Sequence, residues 1–387
     1  MLLGVQMQMM IGPAVPVPAP LAFVEALQDV QVTHSEAGRS VFQITFRIGR
    51  RGPVDLDYSL VGNPLLEPRN RVVLTVVFNG VPHVLSDGII TQRTINSSTT
   101  PGQSTISITG EDISLMMDLV QVRRPHAAQD EATRVRALLG TYSALLGGMP
   151  PIVIQPTSVD VPSPSAEVPS QASTDLEYIK LLGQRFNHEF FVKPGPAPLQ
   201  NTAYWGPLPP PTSVIPQRVP LSVNMGPFSN VESLNFTHDA LAPFAVLDTV
   251  PGEGNRSLPL VVPARVPHGR PLAARPAVPM RTELAHGSEG GESQAGVGYA
   301  RAVVRAQSRV NRSHERTLTV RGEIESVRYG SLLHPRSLVN VRGAGLSNDG
   351  QYYVREVTHT LSVGSYKQSF SLSREGTTST TPGVAGP

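Results

Sequence analysis

The chain has 387 residues, with 37 prolines, 34 glycines, no cysteine and a formal net charge of +2. That length suits two or three domains, and the missing cysteine excludes disulfides, thiolate zinc sites and cysteine nucleophiles. Charged residues make up 16% of the chain and the arginines are scattered, so the concentrated basic surface of a nucleic-acid binder is not indicated.

The opening MLLGVQMQMMIGPAVPVPAP (1–20) is apolar, carries no basic n-region and is broken at Pro13, Pro16, Pro18 and Pro20. This predicts an extended arm rather than a signal peptide or a membrane span. Residues 21–110 read as a first β-rich block. Phe42, Ile44, Phe46 and Ile48 alternate with Val41, Gln43, Thr45 and Arg47, the period of a half-buried strand. Asn79-Gly80 supplies the positive φ angles of a tight hairpin, Asp87-Gly88 reads as a second turn, and Ile106 and Ile108 mark a further strand. Residues 111–224 read as a helical and mixed middle region with Pro-rich linkers. Asp112 is placed to cap a helix whose stripe is Ile113, Met116, Met117 and Val120. A second helix carries Val135, Leu138, Leu139, Tyr142 and Leu146 and ends at Gly147-Gly148. A third starts at a capping box, Thr174 with Glu177, presents Leu176, Ile179, Leu182 and Phe186, and leads into a strand that ends at Pro194.

Residues 225–250 and 315–376 read as a second β-rich block, split by a loose Pro/Gly/Ala/Arg insertion and a basic helix over 251–314. Leu318, Val320 and Ile324 share one strand face. After a turn at Asn348-Asp349-Gly350 comes a long hairpin that reverses at Gly364 and Ser365. Its first strand puts Tyr353, Val357 and Leu361 on one face, and its second Tyr366, Phe370 and Leu372. Residues 377–387 read as a flexible tail. The fold class expected is β-rich α+β: two small antiparallel β-barrels, a helical and mixed middle and Pro-rich insertions. No short-period repeat is visible, and the two β-rich blocks are candidates for structural relatives.

Catalytic constellations are missing from the sequence. His188-Glu189 has no second histidine one helical turn away, as a zinc protease requires, and the ten histidines are dispersed. For His359, inside a strand, packing or a hydrogen bond outweighs catalysis. No G-x-S-x-G elbow occurs; GSEGGES (287–293) has only the composition. Gly296-Val297-Gly298 and Gly343-Ala344-Gly345 lack the remaining glycine of a dinucleotide fingerprint. Asp55 and Asp57 are spaced as strand or turn acids, the ordinary reading against a glycosidase pair. Arg301, Arg305, Arg309, Arg312 and Arg316 give the last helix a basic side, read as a solvated or salt-bridged face before a phosphate site. Trp205 is either an exposed anchor for a neighbour or a packed loop residue. No catalytic, cofactor-binding or metal residue is assigned.

The order of three segments resembles a known family. GEDISLMMDL (110–119) is similar to a barrel strand passing into a helix, and STDLEYIKLLGQRFNHEFFV (173–192) to a helix–strand unit. The segment from Gly343 is similar to a closing hairpin in which Val354, Val357 and His359 precede Gly364, Tyr366 and Phe370. Together they resemble the baseplate hub proteins of contractile phage tails and injection systems, the late control protein D family and the hub portion of VgrG, over most of residues 21–376. The resemblance implies a non-enzymatic, cofactor-free structural protein. Two barrel-like domains per chain in a homotrimer would form a pseudo-hexameric ring between a hexameric inner tube protein and a trimeric spike. It implies contacts with other baseplate proteins and a lumen open to cargo or a tape-measure protein. It implies no nucleic-acid specificity and no membrane insertion of its own. Assembly in the bacterial cytoplasm follows, as part of a phage tail or injection particle. Because the chain ends in GTTSTTPGVAGP, the spike is expected to be a separate protein, and no cell-wall hydrolysis is implied.

Two rival readings are a β-rich adhesin or glycan-binding module, favoured by an exposed aromatic groove, and a particle-associated hydrolase, favoured by clustered perturbed acids or histidines. The visible aromatics alternate inward and no such cluster is readable.

Overall fold

The computed structural model describes residues 5–36, 38–49, 60–100, 102–126, 129–156, 169–208, 219–250, 260–264, 271–285 and 299–380. The protein is a β-rich α+β chain built on one thirteen-stranded sheet. Leaving aside Val17–Pro18, twelve strands form it in two sets of six, each a β-rich block extended by one strand, Val5–Gly12 from the expected arm and Leu221–Ser222 from the expected middle region. The first six are β1 (Val5–Gly12), β2 (Leu27–Ser35), β3 (Val41–Arg47), β4 (Arg71–Phe78), β5 (Val81–Asn96) and β6 (Thr105–Asp112). The second six are β7 (Leu221–Ser222), β8 (Ser233–His238), β9 (Leu318–Glu325), β10 (Leu338–Arg342), β11 (Gly350–Ser362) and β12 (Ser365–Arg374).

The two blocks share one topology. The first runs β2-β3-β6-β5-β4-β1 and the second β8-β9-β12-β11-β10-β7. The match extends to register. Val32 faces Phe42, which faces Gly110, which faces Ile90; Phe236 faces Val320, which faces Leu372, which faces Val354. One residue beyond Ile90 and Val354, each ladder skips a residue, Thr91 in β5 and Arg355 in β11. The loops entering β4 and β10 also coincide. Arg69 donates its backbone N–H to Ile90 O and Arg336 to Val354 O, both at 2.8 Å, and both arginines are left-handed, with φ 77° and 61°. Only the last strand differs: β1 runs antiparallel to β4, β7 parallel to β10.

Each block surrounds its own core. Ile11, Val32, Phe42, Ile44, Leu74 and Ile108 fill the first; Leu221, Val320, Val341, Tyr352, Val354 and Leu372 fill the second. Several turn and edge expectations change. The arm is extended but paired: β1 lies along β4 over its whole length and buries Met9 and Ile11, because every second residue from Val5 is apolar. Asn79-Gly80 does turn β4 into β5, with φ 50° and 78°. Asp87-Gly88 is no turn but the middle of β5, where Asp87 takes a two-pronged ion pair from Arg71 at 2.7 Å. The parity of β11 also differs from the plain alternation. The bulge at Arg355 brings Val354 onto the face of Val357 and Leu361 and sends Tyr353 to the other side.

A middle layer covers part of the sheet. Helix α1 (Glu131–Thr141) is capped by Asp130, and α2 (Asp175–Gln184) by the Thr174–Glu177 box. With the antiparallel strands Glu189–Pro194 and Asn201–Gly206 they bury Val135, Leu139, Ile179, Leu182, Phe190 and Trp205. The expected helix after Asp112 is a single 3-10 turn, Ile113–Met117. Asp112 accepts the Ser114 N–H at 3.0 Å, but the chain then leaves for a strand at Gln121–Pro125, so Met116 and Val120 stay exposed. Phe244–Val250, expected in the second β block, instead pairs with Leu260–Ala264 and Arg281–Ala285 of the expected loose insertion in a separate sheet, and α3 (Tyr299–His314) packs on it. Ala273–Pro276 pairs with Gly376–Ser379, so the start of the expected tail is a strand.

The blocks meet at a ladder between β2 and β11, from Asp29 opposite Ser362 to Ser35 opposite Glu356. The first strand of the long hairpin therefore belongs to both blocks: its early residues pair with β10 and its later ones with β2. Val354, Val357, Phe370 and Leu372 pack in the second core, while Leu361 and Tyr366 pack in the first. Thr33 and Thr358 hydroxyls meet across the ladder at 3.0 Å, and Arg355 pairs with Glu36. His34 Nδ1 contacts Ser40 Oγ at 2.8 Å, and His359 Nδ1 contacts Tyr366 Oη at 3.0 Å. Burial holds His34 and His334 near pKa 4, helped by the Arg336 charge for His34, and holds His359 well below its usual value.

Two outcomes follow. A Cβ on Gly110 would sit 2.3 Å from both Ile89 O and the Phe42 ring. Gly110→Ala is expected to lower the unfolding free energy by about 3 kcal/mol, read from the urea midpoint. The second concerns pH. Unfolded histidines take protons near pH 6.5, whereas His34 and His334 stay neutral in the fold down to about 4 and burial holds His359 well below its ordinary range. The unfolded state then binds more protons in that window, so their contribution, complete above pH 6.5, is lost as pH falls toward 4. His34→Gln/His359→Gln is expected to flatten the slope of stability against pH between 6.5 and 4; an unchanged slope would exclude these two residues.

Candidate assembly interface

The seam consumes one edge of β2 and one edge of the second half of β11. Their counterparts by topology, β8 and the second half of β5, are open. β8 pairs with β9 on one side, and among the described residues no strand pairs with its other side. Among the described residues, Thr91–Asn96 of β5 pairs with β6 and with no strand on its other side. Burial records the difference. Val30 and Val32 of β2 and His359 of β11 are 0%, 0% and 2% exposed, while Leu234 and Phe236 of β8 are half-buried and Ile95 of β5 is 40% exposed. Free strand edges are ordinarily blunted by charge, proline or a bulge. β8, SLNFTH, carries no Lys, Arg, Asp, Glu or proline. In β5 the one charged side chain past the bulge, Arg93, is turned to Glu67 Oε1 at 2.7 Å and Val61 O at 3.2 Å. Both strands therefore present usable main-chain donors and acceptors.

The residues singled out for chemistry are dispersed through the structure. Trp205 is buried and its Nε1–H donates to Ile179 O at 3.1 Å, so it is core and not an exposed anchor. His188 packs edge-on to Trp205 with ring centroids 4.5 Å apart, and burial holds it near pKa 4. His359 is a seam residue. Along α3, Arg309 pairs with Glu283 at 3.3 Å and Arg312 with Glu189 at 2.6 Å, the salt-bridged reading of the basic face. With Arg281 and Arg316 they line a groove of about 440 Å³ beside Phe244 and Asp239. Gly343 and Gly345 take left-handed turns before β11. Asp55, Asp57, residues 287–293, residues 296–298 and the side chains of Arg301 and Arg305 lie outside the described residues. Among the described residues no three histidine, aspartate or glutamate side chains are grouped to hold a metal ion. The open edges were not legible in the sequence. They become visible only when the partner of each strand is known.

No protein-family model matches the chain, and no curated protein sequence matches it. Solved structures do. A tail protein from Neisseria meningitidis MC58 superposes with a TM-score of 0.62 at 12% identity, over 97% of this chain and 98% of that one. The 43 kDa tail protein of prophage MuSo2 from Shewanella oneidensis gives 0.62 at 13% identity, over 96% and 98%. The E. coli c3393 protein, described as a component of the type VI secretion system with structural similarity to the T4 bacteriophage tail proteins gp27 and gp5, gives 0.54 at 12% identity, over 90% and 73%. The chain has the fold of these tail and secretion-system proteins.

Proposed function

We propose that the protein is a structural hub of a contractile tail or injection machine. In this reading three copies form a ring of six β-blocks that adapts a hexameric inner tube to a trimeric spike. The observation that carries it is the duplicated six-stranded block. Two blocks of one topology and register in one chain offer near-equivalent surfaces to a six-fold partner, while the parts that differ between blocks offer a three-fold one. The fold shared with phage tail proteins supports the setting. The ordinary structural role of Trp205, His188 and His359 supports an assembly role over chemistry. The hub would template tube growth and pass the thrust of contraction to the tip. Inner tube protein, a separate spike, other baseplate proteins and a cargo or tape-measure chain in the lumen are its proposed partners.

Light scattering on the purified chain, with and without candidate spike and tube proteins, tests this. The expected mass is that of a trimer, alone or as a three-to-three complex with the spike. A monomer that ignores both partners would sink the reading.

A further inference from the structure

The seam inside one chain specifies a second seam between chains. This step rests on the ring reading and adds to it the strands and the register. The two blocks share strand order and pairing register, so the central residues of the internal seam have counterparts on the open edges. Aligning the bulges, Thr91 with Arg355, places Thr94 with Thr358 and Ile95 with His359. Aligning β2 with β8 through their partners in β3 and β9 places Val32 with Phe236, Thr33 with Thr237 and His34 with His238. Within the chain, Thr33 faces Thr358 and Val32 faces His359.

We infer that β8 of one copy pairs antiparallel with the second half of β5 of the next copy, with Thr237 opposite Thr94 and Phe236 opposite Ile95. Three features support this occupant. The hydroxyl contact of Thr33 with Thr358, 3.0 Å, has threonines at both counterpart positions. The buried seam pair Val32 and His359 has as its counterpart two apolar side chains, Phe236 and Ile95, that are left partly uncovered. Their mutual contact would remove both from water. Moreover, β8 and this stretch of β5 belong to different blocks, so the contact is heterologous. A heterologous contact propagates until it closes, and alternation with the internal seam closes at six blocks when three copies take part. The polar complement differs too. Where the internal seam has His34 beside Val357, the second seam has His238 beside Arg93, whose guanidinium is already held by Glu67.

The chain has no cysteine, so engineered thiols report this register without background. Thr94→Cys/Thr237→Cys is oxidised in the assembled full-length protein and run on a non-reducing gel. Directly opposed positions reach disulfide geometry, and positions shifted by two residues along a strand do not. The expected result is a ladder ending at covalent trimer, at least about tenfold stronger than for Thr94→Cys/Asn235→Cys. In the unmodified assembly, amides of 91–96 and 233–238 should become protected from hydrogen exchange. A trimer by light scattering that gives neither the ladder nor the protection overturns the pairing and leaves the hub reading standing. Equal yields from both cysteine pairs also overturn the register. A chain that stays monomeric with both partners overturns the pairing and the hub together.

Discussion

The ladder between β2 and β11 is the constraint on which the architecture depends. It joins segments more than three hundred residues apart in sequence and converts two blocks into one sheet. Because β11 changes partner partway along, from β10 to β2, neither block can be displaced without breaking main-chain hydrogen bonds of the other. Arg336 adds a second tie at the same place. Its guanidinium lies 3.9 Å above the Phe191 ring of the middle layer and donates to Ser35 O of β2, while its backbone N–H donates to Val354 O of β11. One residue thus touches all three parts. Burial lowers its pKa to about 10, which leaves it charged at neutral pH.

The polar groups at this seam have structural partners. His34, His359, Tyr366, Ser40 and the Thr33–Thr358 pair form contacts across or beside the ladder. Neutral histidines suit such a place, because burial penalises the charged imidazolium. The same logic applies to Arg71 and Asp87 of the first block, which are paired twice, Asp87 also accepting from the Asn201 amide of the middle layer at 2.7 Å. Buried polar residues in this chain fix how layers sit on one another.

The duplication gives the sheet an economical logic. One way of joining blocks is already realised inside the chain, with known strands, bulges and facing residues. The opposite edges keep the matching backbone and the matching threonines, yet carry Ile95 where the internal seam has buried His359 and Phe236 where it has Val32. In the proposed ring, a second seam with this backbone arrangement but other side chains would make the assembly six-fold in its strands and three-fold in its chemistry.

Local order was largely written in the sequence. The alternation of Phe42, Ile44 and Phe46, the Asn79-Gly80 hairpin, the Thr174–Glu177 box and the reversal before Ser365 all rest on contacts within a few residues. Short-range sterics and hydrogen bonds therefore determine them. The resemblance of three segments to tail hub proteins was also carried by such local patterns. Other features waited for the tertiary structure. Gly88 and Gly110 look like turn or strand punctuation, and only the arrival of Phe42 across the sheet shows them as sites of close approach. The apolar start looked like a free arm until β4 came alongside. The bulge at Arg355, invisible to a period of two, decides which face Tyr353 takes. The two blocks were legible as candidate relatives, but their common strand order and register were hidden, because they share partners rather than residues. Pairing between distant strands depends on backbone groups that every residue carries, so the sequence determined the strands and the tertiary structure alone decided which edges are closed and which remain open.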